Sequence, residues 1–202
     1  MTWWRYLVAS MAGSALTMVL IKLNRTLAPR PNTIIQNYPS EAIFFPGPHL
    51  GSVPISDEQT RDVNDLSESL QRLVRHVNSA RQSLDLCLFL LTSRPLADAV
   101  LNRLSRGVRV RLLIDDSSVD VSGSQVSRFR REGAFVRSKA SAYLMHHKFC
   151  LVDDRKLLNG SLNWTMQGLM GNKENVMMTV EPTLVQAFRQ EFERLWTEME
   201  SS

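Results

Sequence analysis

The apolar residues change period several times along the last two-thirds of the chain, and each period predicts an element. Leu66, Leu70, Leu73, Val74, Val77 and Ala80 share one helical face. Residues 83–91 (SLDLCLFLL) form an apolar run of strand length. Residues 96–106 return to helical spacing and end at Gly107, a residue suited to a helix stop. A strand is predicted over 108–114 (VRVRLLI), a loop over 115–118, a helix over 124–131 with Gly133 behind it, and a short strand over 134–136. Residues 147–152 and 156–158 predict two strands around an Asp153-Asp154 turn, and 175–180 a further strand. Val185, Phe188, Phe192, Leu195 and Trp196 mark an amphipathic helix near the C-terminus. Strands alternating with helices argue for an α/β architecture, a mixed β-sheet sandwiched between helices. No internal repeat is found.

Ahead of this body, residues 6–21 (YLVASMAGSALTMVLI) carry no charge. Arg5 and Lys22 flank them, and Trp3 and Trp4 stand where an interfacial aromatic pair would stand. The run is slightly short of a span of about 17–25 residues. The tryptophans and snorkelling flanking cations close the gap. A transmembrane anchor over 1–22 is the favoured reading. Two others compete with it. A cleaved secretory signal lacks a small-x-small site before the charges, and a removable organelle presequence is usually Arg-rich and amphipathic. Lys22, Arg25 and Arg30 follow the segment against Arg5 before it, so the positive-inside bias places the body in the cytosol. Residues 23–62 read as a linker punctuated by Pro29, Pro31, Pro39, Pro46, Pro48 and Pro54. Within it, Ile43-Phe44-Phe45 predicts a short strand leading into a domain over 63–202.

Composition narrows the class. The 202 residues suffice for one domain, and 44% hydrophobic with 22% charged residues is ordinary for a folded one. A net charge of +4 is a mild basic bias, suited to a polyanion or an anionic membrane without demanding either. Cys87 and Cys150 each lie in an apolar run and read as buried, reduced thiols. Two cysteines and four scattered histidines make neither a disulfide framework nor the set of about four ligands that a structural zinc needs.

The informative stretch is residues 146–175, HHKFCLVDDRKLLNGSLNWTMQGLMGNKEN. It contains His146-x-Lys148-x4-Asp153, then Gly160-Ser161-x-Asn163, then Glu174. Strand alternation puts His146 and Lys148 on one face, an imidazole beside an ammonium. Asp153 has the opposite parity and reads as a supporting residue. Gly160 permits close backbone approach. Ser161 and Asn163 supply neutral donors beside the Lys148 charge, which together suit a tetrahedral oxyanion. A phosphodiester repels nucleophiles until its charge is neutralised, and imidazole is a nitrogen nucleophile that is free near neutral pH. Glu174, bonded to the far ring nitrogen, would orient it.

These motifs resemble the HKD signature of the phospholipase D superfamily, and the similarity runs from the Leu66 helix to the C-terminus. One HKD copy behind an N-terminal apolar segment, with IFFP, MHHKF and GSLNW, looks more narrowly like the single-motif mitochondrial branch, the Zucchini endonucleases. The resemblance implies the phospholipase D/nuclease fold, catalytic roles for His146, Lys148, Asp153 and Glu174, and phosphate binding by Lys148, Ser161 and Asn163. It also implies a phosphohistidine intermediate with no metal and no cofactor. The family's chemistry uses two histidines, one attacking phosphorus and one protonating the leaving oxygen. This chain has one motif. His49 and His76 lack its context, and His147 points to the opposite face, so a homodimer that pairs two copies of His146 is expected.

Two substrates are implied. One is single-stranded RNA, cleaved endonucleolytically during piRNA-precursor processing at the mitochondrial outer membrane, with the catalytic body facing the cytosol. The other is cardiolipin, cleaved to phosphatidate. A non-catalytic membrane scaffold is the third reading, and the intact motif argues against it. Some relatives carry a zinc-binding Cys/His insertion between the membrane segment and the core; residues 23–82 contain no cysteine, so no zinc is expected. Arg137, Lys139 and Lys173 are candidate nucleic-acid contacts, with Arg128, Arg130 and Arg131 as lesser ones, against a simple solvated face. Trp164 is a core tryptophan or a base-stacking one, the former favoured. Asp115-Asp116 with Asp153-Asp154 is a weak alternative as a metal site.

Overall fold

The computed structural model describes residues 38–46 and 67–200. The expected anchor over 1–22, most of the linker and His49 lie outside the described residues. Among the described residues no helix is long and apolar enough to cross a membrane.

Among the described residues, seven strands form one sheet: β1 (Ser40–Phe45), β2 (Ser83–Leu88), β3 (Arg109–Ile114), β4 (Phe135–Arg137), β5 (Lys148–Val152), β6 (Lys156–Gly160) and β7 (Glu174–Thr179). Their order is β1-β7-β6-β5-β2-β3-β4. The β2-β3-β4 half is parallel and the β5-β6-β7-β1 half antiparallel, joined by the antiparallel β2–β5 pair. The expected mixed α/β sheet is observed. The register puts the C-terminal ends of β2 and β3, the start of β5, the end of β6 and the start of β7 at one edge of the sheet.

Among the described residues, five α-helices cover the two faces: α1 (Glu68–Asn78), α2 (Arg94–Leu104), α3 (Val126–Arg131), α4 (Met166–Met170) and α5 (Pro182–Glu198). In α1, Ser67 accepts a hydrogen bond from Leu70 N at the N-terminus, and Leu70, Leu73, Val74 and Val77 are buried. In α2, Ser93 caps and Pro95 opens the first turn, where a missing N–H costs nothing. Gly107, with φ +85°, ends the turn after α2 in the left-handed region that glycine enters freely. Side chains from α1, α2, α3 and α4 share one core with Leu86, Leu88, Leu112 and Cys150. The opposite core holds Cys87, Leu113, Phe149, Leu151 and Leu157 against Val185, Phe192 and Leu195 of α5. Both cysteines are buried thiols, and burial pushes both well above the ordinary thiol range. Trp164 is core, and its carbonyl accepts from Thr92 N and Ser93 N.

Strand β1 lies at the sheet edge and is clamped from α1. Ser69 Oγ donates to Phe44 O at 2.8 Å, and Glu41 receives both the Arg72 guanidinium and the His76 ring, the latter at 2.7 Å. These contacts hold Glu41 below the usual carboxylate range, outweighing the upward push of burial. On the other face, Arg111 forks onto Asp85 (2.7 and 2.8 Å) and onto Glu193 of α5 (2.7 Å), with its guanidinium over the Phe192 ring. Asp85 is almost fully buried, so this bidentate partner is what lets a carboxylate stand inside the sheet.

Candidate active site

The loop between β4 and β5 delivers His146 to the edge where the strands β2, β5, β6 and β7 converge. Lys148 is the first residue of β5 and stands opposite Leu88, on the α1–α4 side of the sheet. Its Nζ donates to His146 O at 3.1 Å. Phe89, just past β2, packs against both residues: its ring centroid lies 4.7 Å from that of His146, and Lys148 Nζ sits 5.2 Å above the same ring. The His146 side chain is exposed. No hydrogen bond reaches its ring among the described residues. Burial pushes the Lys148 ammonium below the ordinary lysine value, and the charge of Glu174 offsets part of that push.

Glu174 opens β7 at the same edge, but its oxygens face other partners than expected. Ser161 Oγ donates to Oε2 at 2.5 Å, and Asn172 Nδ2 donates to Oε1 at 3.1 Å. The expected Glu174–His146 hydrogen bond is therefore not made; the β7 register points the carboxylate at the Ser161 turn. The Ser161 hydroxyl, expected to face phosphate, spends its single proton on Glu174 and accepts from Asn175 N at 3.1 Å. Asn163 has a buried Oδ1 with no hydrogen-bond partner among the described residues, so only its Nδ2 could donate to a phosphate. Gly160 is explained by β7: a Cβ there would lie 2.0 Å from Asn175 O, so the glycine lets the two backbones close up and brings Ser161 to Glu174.

Asp153 stands apart from His146 and Lys148. It sits at the far end of β5, about 16 Å of strand from Lys148 at some 3.3 Å per residue. Its carboxylate accepts from Arg81 N, Gln82 N and Ser83 N at 2.7–3.1 Å, fixing the start of β2. Burial pushes its pKa up, but the three amides and Lys156 outweigh that and hold it below the ordinary aspartate value. The two aspartate pairs also fall at opposite ends of the sheet, since Asp115 follows the end of β3 while Asp153 faces the start of β2. They cannot share a metal. Among the described residues no group of three or more His, Cys, Asp or Glu side chains gathers as a metal would need.

The proposed nucleic-acid cations are distributed differently. Arg137 donates to Trp196 O and Glu200 and stacks over the Trp196 ring, and Lys139 donates to Glu198 O. Both therefore serve the C-terminal turn of α5, where free carbonyls and the helix dipole favour cations. Lys173 is exposed beside Glu174, and Arg128 pairs with Asp98. His147 turns to the α5 face as expected, against Glu191 and the Phe149 edge. Phe89 escaped the sequence reading because residues 83–91 look like one unbroken strand. The strand ends at Leu88, Phe89 N then donates to His147 O at 2.9 Å, and Leu91 bridges to Trp164 instead.

A family model described as cardiolipin synthase, PLD-like domain, matches residues 73–196. The chain belongs to the phospholipase D superfamily. Within that superfamily it joins the single-motif mitochondrial members. It is 42% identical over 166 residues to the mitochondrial cardiolipin hydrolase of Danio rerio, covering 77% of this chain and 72% of that protein. It is 36% identical over 208 residues to the protein of the same name from Homo sapiens, covering 96% and 80%. In three dimensions this superfamily member resembles Nuc from Salmonella typhimurium, a phospholipase D family member, with a TM-score of 0.67 at 18% identity, covering 82% of this chain and 99% of that one. NucT from Helicobacter pylori gives 0.64 at 19% identity, covering 80% and 97%. The two structures share the fold. As a phospholipase D superfamily enzyme, the chain is a phosphodiester hydrolase.

Proposed function

We propose that this enzyme hydrolyses a phosphodiester of an anionic phospholipid, cardiolipin, through a phosphohistidine formed on His146 within a homodimer. The observation that carries the reading is the setting of His146. Its ring is exposed, free of hydrogen bonds among the described residues, backed by Phe89 and next to the Lys148 ammonium. Just before it in the chain, Tyr143 and Leu144 are 86% and 61% exposed, apolar surface suited to a lipid. The relatives' shared name, mitochondrial cardiolipin hydrolase, supports the same substrate.

In this mechanism the imidazole lone pair forms the N–P bond while the P–O bond to the departing glycerol breaks. The same imidazole of the second copy gives that oxygen its proton, then takes one from water as the water oxygen displaces histidine. The products are phosphatidate and phosphatidylglycerol. Lys148 neutralises phosphate charge throughout. Asn163 supports the phosphate, and Ser161 does so once it exchanges Glu174 for it. Residues 1–22 act as a single-pass anchor in the mitochondrial outer membrane, 23–62 as a linker, and 63–202 as the catalytic domain facing the cytosol.

A single-strand endoribonuclease acting in piRNA biogenesis is the second reading. Tyr143 favours it, because an exposed aromatic ring three residues before His146 is a surface on which a base can stack. The test is the full chain in EDTA, offered cardiolipin vesicles and single-stranded RNA side by side, with His146→Ala as control. Phosphatidate released by the wild type and absent with H146A is the expected result. RNA cleavage without phosphatidate would select the second reading, and full turnover by H146A would remove His146 from its role.

A further inference from the structure

Asp115, first met as half of a weak metal motif, has a use that the mechanism has not absorbed. It follows β3 directly, is 6% exposed, and has no ion pair among the described residues. Three donors meet its charge. Ser117 N and Ser117 Oγ donate to Oδ1 at 3.1 and 2.5 Å. The third donor is Met145 N, which reaches Oδ2 at 2.7 Å. A backbone amide thirty residues away in sequence, immediately before His146, is thus tied to a carboxylate that is itself held by its own turn.

The geometry around that tie is one-sided. Tyr143 and Leu144, upstream, are exposed. Met145 is buried, and the Cys87 thiol donates to its Sδ at 3.3 Å. Downstream, His147 O accepts from Phe89 N at 2.9 Å. The chain therefore passes from an open loop into the sheet through two fixed points, Met145 N and His147 O, and His146 lies between them. The upstream point depends on a side chain; the downstream one is main chain to main chain. We propose that Asp115 is the positioning residue for His146. It fixes the backbone from which the imidazole projects, so that the ring meets phosphorus at the attack distance. It does not touch substrate. The inference rests on the reading of His146 as nucleophile. A misplacement of about 1 Å at a reacting atom costs about 10²-fold in rate, which sets the size of the expected effect.

The test uses the full chain and bis(p-nitrophenyl) phosphate, a soluble diester that is neither lipid nor nucleic acid. Asp115→Ala is expected to lower kcat by about 10²-fold while KM stays within about twofold. Asp115→Asn should recover part of that loss, because a carboxamide oxygen still accepts from Met145 N and the amide group can donate to Ser117 Oγ, although the bond from Ser117 N is given up. Ser117→Ala, which touches only the other oxygen, should keep kcat within about threefold of the wild type. Wild-type kcat in Asp115→Ala, or no recovery in Asp115→Asn, overturns the proposal. Should the alanine variant fail to fold, amide exchange in the wild type decides the matter. The Met145 amide is expected to be protected while that of Leu144 exchanges freely, and free exchange at Met145 overturns the proposal. Running His146→Ala alongside separates the two readings. If it keeps its turnover, the nucleophile is misassigned; if it is dead while Asp115→Ala is fully active, only the positioning role falls.

Discussion

Lys148 sets the upper pH boundary of the proposed chemistry. Only its protonated form neutralises phosphate, and burial already holds its pKa below 10.5, with Glu174 pulling it part of the way back. The alkaline limb of kcat/KM, which reports the free enzyme, should therefore lie below 10.5. Glu174→Gln removes the opposing charge and leaves burial unopposed. Lys148 then loses its proton more readily, and the limb moves further toward neutrality. Profiles of the two proteins check this through the position of the limb, independently of its height; an unmoved limb would uncouple the two residues. This pair was half legible in the sequence. His146 and Lys148 could be placed together because strand alternation is local. The partners of Glu174 could not, because they depend on how closely β6 and β7 approach at Gly160. Phe89 and Asp115 reach the site from the ends of β2 and β3, and no spacing rule within residues 146–175 points to them.

The β5–β6 hairpin shows the same division at the scale of elements. Its Asp153-Asp154 turn was legible, and both residues take positive φ (55° and 54°), which aspartate tolerates better than most side chains. What the turn does was not legible, because the amides it holds lie at the start of β2 and just before it, about seventy residues upstream. The helices α1, α2 and α5 could be read from their apolar faces. The five-residue α4 could not, since little more than one turn gives no period, although Thr165 caps it, its Oγ1 accepting from Gly168 N at 2.9 Å. The Asp153 carboxylate carries a testable sign. Its folded pKa lies below the ordinary 3.8, so its contribution to stability is fully present above that value and is lost as pH falls through the lowered one. Asp153→Asn should melt earlier at neutral pH, by a free energy of about 1 kcal/mol after solvent screening. The gap to the wild type should narrow as the medium is acidified below the ordinary aspartate range. Thermal melts across pH measure it, and a gap independent of pH would show that the charge on Asp153 contributes nothing. Activity per folded molecule should be unchanged, since the turn lies at the other end of the strand from His146.

At the scale of the molecule the decisive quantity is the number of imidazoles per site. His147 faces α5 and His76 is engaged by Glu41, so within the described residues of one copy no second histidine stands with His146. The sheet also leaves apolar side chains uncovered near that edge: Phe44 and Met177 lie on the α5 face of β1 and β7, beyond the reach of the helix. A twofold pair that shares one phosphate would supply both the missing proton donor and a cover for exposed apolar surface. The two requirements give a quantitative signature. Suppose that wild-type and His146→Ala chains exchange freely into dimers, and that turnover needs both imidazoles. Activity per total protein should then follow the square of the wild-type fraction, so an equal mixture should retain about a quarter of the activity. If each copy worked alone, the mixture would retain about half, because dilution by an inactive independent enzyme is linear. Mixing after denaturation and joint refolding, compared with mixing folded proteins without exchange, provides the internal control. A linear dependence in the co-refolded sample would show that one His146 is sufficient, and the proton donor would then have to be sought within a single chain.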